Sequence, residues 1–231
     1  VAIGAQAGLT NQGTGGIAIG DNTAGIGQNY NGVAVGAYAG QTNQGSYSIA
    51  IGSFAGANVQ GMHSIAIGAT AGFVGQNQDS IAIGHRAGEN DQGSQNIAIG
   101  LQAGQFGQGE QAVAIGAQAG QTGQASQNIA IGLQAGQLGQ GFQGTAIGPQ
   151  VGQINQGSYA VALGNQTAQF NQGMASVAVG GNAGQYEQGS YAVAVGPFSG
   201  FTGQSAYSIA IGAGAGQYGQ GSYAVAIGNS A

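Results

Sequence analysis

The chain has 231 residues, 51 of them glycine, with 3% charged residues and a formal net charge of −5 at pH 7; this lies far from globular averages and predicts a specialised architecture. Arg86 is the one basic side chain besides two histidines, and lysine is absent, so no cationic surface exists for a phosphate backbone or an anionic membrane, and nucleic acid is not expected as a partner. No run approaches the roughly 20 apolar residues that span a bilayer, so no membrane insertion is expected, and the lack of cysteine removes disulfides and thiolate metal sites.

Val1 opens the phrase VAIG, and the same phrase returns every sixteen residues. It stands at Ile17, Val33, Ile49, Ile65, Ile81, Ile97, Val113, Ile129, Thr145, Val161, Val177, Val193, Ile209 and Val225, without an insertion or a deletion. The result is fourteen complete lines and a partial one at 225–231, the mark of a repeat architecture in which each unit buries its inner face only against its neighbours. Residues 1–231 therefore read as a single repeat domain.

Sixteen residues are too few for a helical pair, and each glycine weakens a helix by up to about 1 kcal/mol. The alternation in S-I-A-I-G has period two with β-branched residues at alternate positions, which predicts a strand. The expected fold is all-β: a parallel β-solenoid, or β-roll, with one coil per line and a spacing of about 4.8 Å, hence a rod on the order of 70 Å long.

The positions of a line, numbered here as slots 1 to 16, differ in what they tolerate. Slots 1 and 3 take Ile or Val, with Thr145 and Leu163 as the exceptions, and so demand branched bulk. Slot 2 is always alanine and slot 4 always glycine; Ala50, Gly52, Ala66 and Gly68 stand for these tight-packing positions, where one extra methyl overpacks the fold at about 1–3 kcal/mol. Slots 5 and 6 vary freely and predict an outward turn, which accommodates Pro149 and Pro197 beyond the strand. Small residues at slots 7 and 8 predict a second inward segment and its bend.

Slot 12 is glutamine in every complete line. Its flanks at slots 11 and 13 are mostly glycine or asparagine, which tolerate the left-handed conformation, so slots 11 to 13 predict a corner. A glutamine repeated there, at Gln12, Gln28, Gln44, Gln60, Gln76, Gln92, Gln108, Gln124 and onward, is expected to stack its amide on the next as a hydrogen-bonded ladder. Slots 9, 10, 14 and 15 vary and are expected to face out, with tyrosine recurring at slot 15.

Because side chains alternate across a strand, slots 1 and 3 cannot share a face with slots 2 and 4. Either Ile and Val point inward and leave a smooth Ala/Gly strip outside, or Ala and Gly point inward and leave an apolar stripe that includes Ile49, Ile51, Ile65, Ile67, Ile81, Ile83, Ile97 and Ile99. We favour the second arrangement, since the unvarying small slots suit a narrow roll. Such a stripe exceeds what a soluble monomer usually exposes and predicts contact with other chains.

The strings YSIAIGSFAG (47–56), HSIAIGATAG (63–72) and YAVAVGPFSG (191–200) resemble the head repeats of YadA-like trimeric autotransporter adhesins, and are similar to tail-fibre-type repeats. The resemblance implies a β-roll, three copies side by side and display on a surface. The chain departs from that family in its sixteen-residue period and in the repeated pair seen at Gln12-Gly13 and Gln44-Gly45, and the resemblance carries over no ligand.

Groups able to titrate or coordinate are sparse, so no catalytic site, metal or other cofactor is expected. One cluster, HRAGEND at 85–91, reads as a surface pair between Arg86 and a carboxylate in preference to a cation site on Glu89, Asn90 and Asp91, which would supply too few oxygens. The glycine runs lack the helix and the lysine of a phosphate loop. The expected function is a structural fibre or adhesin-type rod, a stiff homo-oligomer with three copies favoured, located outside the cell or on a cell or virion surface, where a glycan or host-surface ligand stays open. Two alternatives remain at this point: an extracellular filament assembled end to end, and an ice-binding protein using a flat Ala/Gly face.

Overall fold

The computed structural model describes residues 1–231 and contains no helix; it is a parallel β-solenoid of about 14 turns with sixteen residues per coil. The chain divides into two compact units, Val1–Ala117 and Gln118–Ala231, each built on the same plan. In the first unit, slots 1 to 3 form one parallel sheet from Ala2–Ile3 through Ile17–Ile19, Val33–Val35, Ile49–Ile51, Ile65–Ile67 and Ile81–Ile83 to Ile97–Ile99 and Val113–Ile115. The second unit repeats the arrangement from Ile129–Ile131 to Val225–Ile227. Register is set by the period: Ile49 pairs with Ile65, Ala50 with Ala66 and Ile51 with Ile67.

A second parallel sheet is made by slots 10 to 12, where the sequence predicts a corner at slots 11 to 13. In the first unit it runs from Ile26–Gln28 to Phe106–Gln108, and in the second from Thr122–Gln124 to Phe170–Gln172, continuing as bridges through Tyr186, Thr202 and Tyr218. The expected corner is a strand with a kink at its centre. Slot 11 lies in the left-handed region, as at Asn43 (φ 53°) and Gly75 (φ 67°), so the glycine and asparagine preference is genuine while the chain stays paired to its neighbours on both sides. The first strand covers slots 1 to 3, and slots 14 and 15 before it form a turn.

Even the turns are hydrogen-bonded from coil to coil. The amide of Phe54 donates to the Ala37 carbonyl of the preceding coil at 2.9 Å, while Gly56 donates to the Ala71 carbonyl of the following coil, also at 2.9 Å. His63 donates back to Ser46 at 3.0 Å and Ile65 forward to Ser80 at 2.9 Å. Left-handed residues at slots 6, 8, 11 and 15 redirect the backbone groups up and down the stack, and this meets the requirement that backbone donors be paired.

Glycine is obligatory at slot 4. Gly68 has φ +126°, and a Cβ placed on it would lie 2.6 Å from the Gly84 carbonyl oxygen of the next coil. Slot 8 is confined differently: a Cβ on Gly72 would meet Oε1 of Gln76 at 2.6 Å and Cβ of Ala66 at 3.3 Å. Alanine occurs at slot 8 only in Ala24 and Ala168, and both follow a threonine, Thr23 and Thr167, whose hydroxyls donate to the carbonyls of Gly36 and Gly180 in the next coil.

Candidate functional site

The interior of one coil holds almost nothing large and apolar. Between Ile65 and Ser80 the buried side chains are Ala66, Ala71, Gln76 and Ser80, and the bulkiest fully buried residues of the molecule are its glutamines. Ala50 and Ala66 are completely buried, so the Ala/Gly set faces inward and the Ile/Val set outward. The flat Ala/Gly face on which an ice-binding surface would rest is therefore inside the coil.

The slot-12 glutamines lie on the inner face of the second strand. From there each amide spans the interior to the first strand of its own coil: Nε2 of Gln60 donates to the Ile49 carbonyl at 2.8 Å and the Ser64 carbonyl at 3.2 Å, and to Oε1 of Gln76 in the next coil at 3.2 Å. The ladder bonds run from Gln12 to Gln28, Gln44, Gln60 and Gln76, and from Gln92 to Gln108. In the second unit they join Gln124 to Gln140, and Gln172 through Gln188 to Gln204. The ladder is segmented: the buried Oε1 atoms of Gln92, Gln156 and Gln172 have no hydrogen-bond partner. At the first break Nε2 of Gln76 donates to the carbonyls of Ile65 at 2.9 Å and Ser80 at 3.2 Å.

Slot 16 is a further inward column to which the sequence reading gave no role. Ser80 Oγ donates to the Gly93 carbonyl at 2.8 Å and accepts the Asn96 amide at 3.3 Å, and Asn96 Oδ1 in turn accepts the Ala112 amide at 2.6 Å. The signal was present as a column restricted to Gly, Ala, Ser and Asn, a set small enough for a confined wall and polar enough to cap carbonyls.

Outside, slots 1 and 3 form two adjoining ranks of branched side chains. Ile49, Ile65, Ile67, Ile81, Ile83, Ile97 and Ile99 are half-buried, each shielded by the equivalent residue above and below, and Ile51 is 38% exposed. Ranks of this kind occur in both units, with Ile129, Ile147 and Ile211 exposed in the second. Every charged side chain sits at another slot, so the strip is uncharged along its length and apolar apart from Thr145.

Two further amide ladders run along the stack, and slot 9, expected to face out, is largely shielded, with Gln105, Gln169 and Gln185 buried. At slot 9, Nε2 of Gln137, Gln153, Gln169 and Gln185 each donates to the glutamine one coil earlier at 2.8–3.0 Å. At slot 6, Gln134, Gln150 and Gln166 do the same at 3.0–3.2 Å. In the HRAGEND cluster, Arg86 Nε stands 3.9 Å from Glu89 Oε2, and the same oxygen accepts Nε2 of Gln105 at 2.6 Å. Asp91 points outward at slot 11. No three His, Asp or Glu side chains converge, and the surface has no pocket.

No protein-family model matches the chain, and no curated protein or solved structure is significantly similar to it.

Proposed function

We propose that this chain is a structural fibre or adhesin-type shaft, a homo-oligomeric β-solenoid displayed on a cell or virion surface, whose copies pack side by side along the Ile/Val strip. The observation that carries the reading is the outward placement of slots 1 and 3 against a buried slot 2. A strip of two branched ranks, repeating at the coil spacing and free of charge, is matched in period and chemistry by a second copy of itself. Completing the burial of a half-buried Ile or Val contributes about 1 kcal/mol, and the strip repeats that gain coil after coil. The likeness of SIAIG and VAVG phrases to adhesin head repeats favours three copies. A mechanical role in preference to a catalytic one is supported by the scarcity of titratable side chains.

The test is sedimentation of the intact chain at micromolar concentration beside the double variant Ile67→Asp, Ile83→Asp. The unmodified chain is expected to sediment as an oligomer and the variant as a monomer with unchanged β-sheet circular dichroism, because both substitutions point away from the interior. A wild-type chain that is monomeric under these conditions rules out the reading.

A further inference from the structure

Slot 15 places Tyr191, Tyr207 and Tyr223 in three successive coils of the second unit. All three have the same left-handed backbone, with φ of 60°, 60° and 61°. The Tyr207 amide is bonded back to the Ser190 carbonyl at 3.0 Å and that of Tyr223 to Ala206 at 3.3 Å. The backbone therefore launches three identical phenols in one direction. Their rings stack, with centroids 5.0 Å apart at 7° between Tyr191 and Tyr207, and 5.2 Å apart at 4° between Tyr207 and Tyr223. They are 45%, 49% and 75% exposed, respectively. The other six tyrosines face phenylalanine or histidine rings or no ring at all: Tyr159, for example, meets Phe142 edge-on at 5.8 Å, and Tyr38 stacks on Phe54 at 4.7 Å.

We propose that this row is an oxidative cross-linking site, at which a haem peroxidase with hydrogen peroxide joins neighbouring rings into dityrosine within one chain. Each of two phenols loses one electron and one proton, and the two phenoxyl radicals form a carbon–carbon bond between carbons ortho to the oxygens. The hydrogens on those carbons leave as protons while the phenol oxygens are reprotonated, which restores both rings. The two electrons and two protons removed in total reduce one hydrogen peroxide to two waters. Near-parallel stacking with centroids 5.0 and 5.2 Å apart keeps the rings side by side, so coupling has the advantage of a pre-assembled pair over an encounter between chains. The exposed rings are open to the oxidant. The chain has no cysteine and no lysine, so disulfide and lysine isopeptide staples between its own coils are closed to it; phenol coupling supplies the missing covalent tie.

Intact chain treated with peroxidase and a limiting amount of hydrogen peroxide is expected to gain dityrosine fluorescence and to lose two hydrogens in mass per link. It should keep monomer mobility in denaturing gels, and its linked peptides should contain Tyr207 joined to Tyr191 or Tyr223. The variant Tyr207→Phe keeps the stacked ring but separates the remaining phenols by two coils; its intramolecular yield should fall at least about fivefold, whereas Tyr159→Phe leaves the yield unchanged. Circular dichroism before oxidation confirms that both variants are folded. Links mapping mainly to other tyrosines, links mainly between chains, or an undiminished yield in Tyr207→Phe would each overturn the proposal.

Discussion

Gln28 and Gln44, one coil apart, are joined by a hydrogen bond from Nε2 of the first to Oε1 of the second at 3.0 Å, and both are fully buried. The bond points toward the C-terminus, as do the other slot-12 bonds, whereas the bonds at slot 9, such as Gln153 Nε2 to Gln137 Oε1 at 3.0 Å, point toward the N-terminus. The slot-12 and slot-9 amide columns thus run with opposed dipoles. The slot-12 column also latches the two sheets of each coil, since the Gln28 amide reaches the Ile17 carbonyl at 2.9 Å and the Gly32 carbonyl at 2.8 Å.

Replacing a latch glutamine removes several buried bonds at once. Gln60→Leu deletes the acceptor of Gln44 and the donor to Ile49, Ser64 and Gln76. Each unsatisfied buried group costs about 1–3 kcal/mol, so chemical denaturation should show a loss of roughly 2–4 kcal/mol. Gln60→Glu adds a pH dependence. Burial raises the folded-state pKa of the new carboxyl above its unfolded value near 4.3, so the folded state binds the extra proton and stability falls as pH rises through and above that value. Denaturation curves across the acid range should show the variant closest to wild type at the lowest pH.

The volume ceiling inside the coil contrasts with tolerance outside it. Ala66→Val adds two methyls at a completely buried position beside Gly72 and should cost about 1–3 kcal/mol. Ile67→Val, on the outer face, should change stability of the monomeric form by less than about 1 kcal/mol. Gly68→Ala combines the close approach to the Gly84 carbonyl with φ +126° and should be the worst of the three, at about 3 kcal/mol or more. Thermal unfolding of the three variants ranks them.

Val59 occupies slot 11 with φ 58°, a conformation that costs a branched residue about 1–2 kcal/mol. Asn43, Asn155 and Asn171 fill the equivalent place in other coils with φ of 53–56°. Val59→Asn should therefore stabilise the fold by about 1 kcal/mol, seen as a higher denaturation midpoint.

Self-association through the Ile/Val strip should respond weakly to salt. No charged residue lies at slots 1 to 3, so raising ionic strength from about 0.05 to 0.5 M, which screens surface charges, should leave the sedimentation profile unchanged. A profile that shifts toward monomer on adding salt would place the contact on the charged slots instead.

The coil and its register were legible because slots 1 to 4 obey the simple alternation of a strand with few exceptions; alternation separates the Ile/Val ranks from the Ala/Gly ranks without saying which faces inward, and the burial of Ala50 and Ala66 decides it. The glutamine ladder was legible as an unvarying column. The second sheet was not: at Asn58–Gln60 and its equivalents a left-handed residue sits in the middle of the strand, so alternation breaks and Gly or Asn at slot 11 mimics a corner. Nor does sequence announce the left-handed turn at slot 15, which is occupied by Tyr47, His63, Gln95 and Ala175 with φ of 52–60°. These residues accept it because hydrogen bonds from the adjacent coils impose it. The pairing of the slot-15 rings follows from that imposed geometry, and no single line of sequence contains it.

An interior of alanine methyls and carboxamides has a thermodynamic consequence. Apolar surface exposed on unfolding raises the heat capacity and polar surface lowers it, for an ordinary sum of about 12–15 cal/mol/K per residue. Here the buried wall is largely Ala, Gln and Ser while much of the Ile and Val is wet in a single copy. The increment for an isolated copy should fall below the ordinary range, and its stability should vary little from cold to warm. Association along the proposed strip contact would add the missing apolar share, and the temperature response would then belong to the assembly more than to the chain.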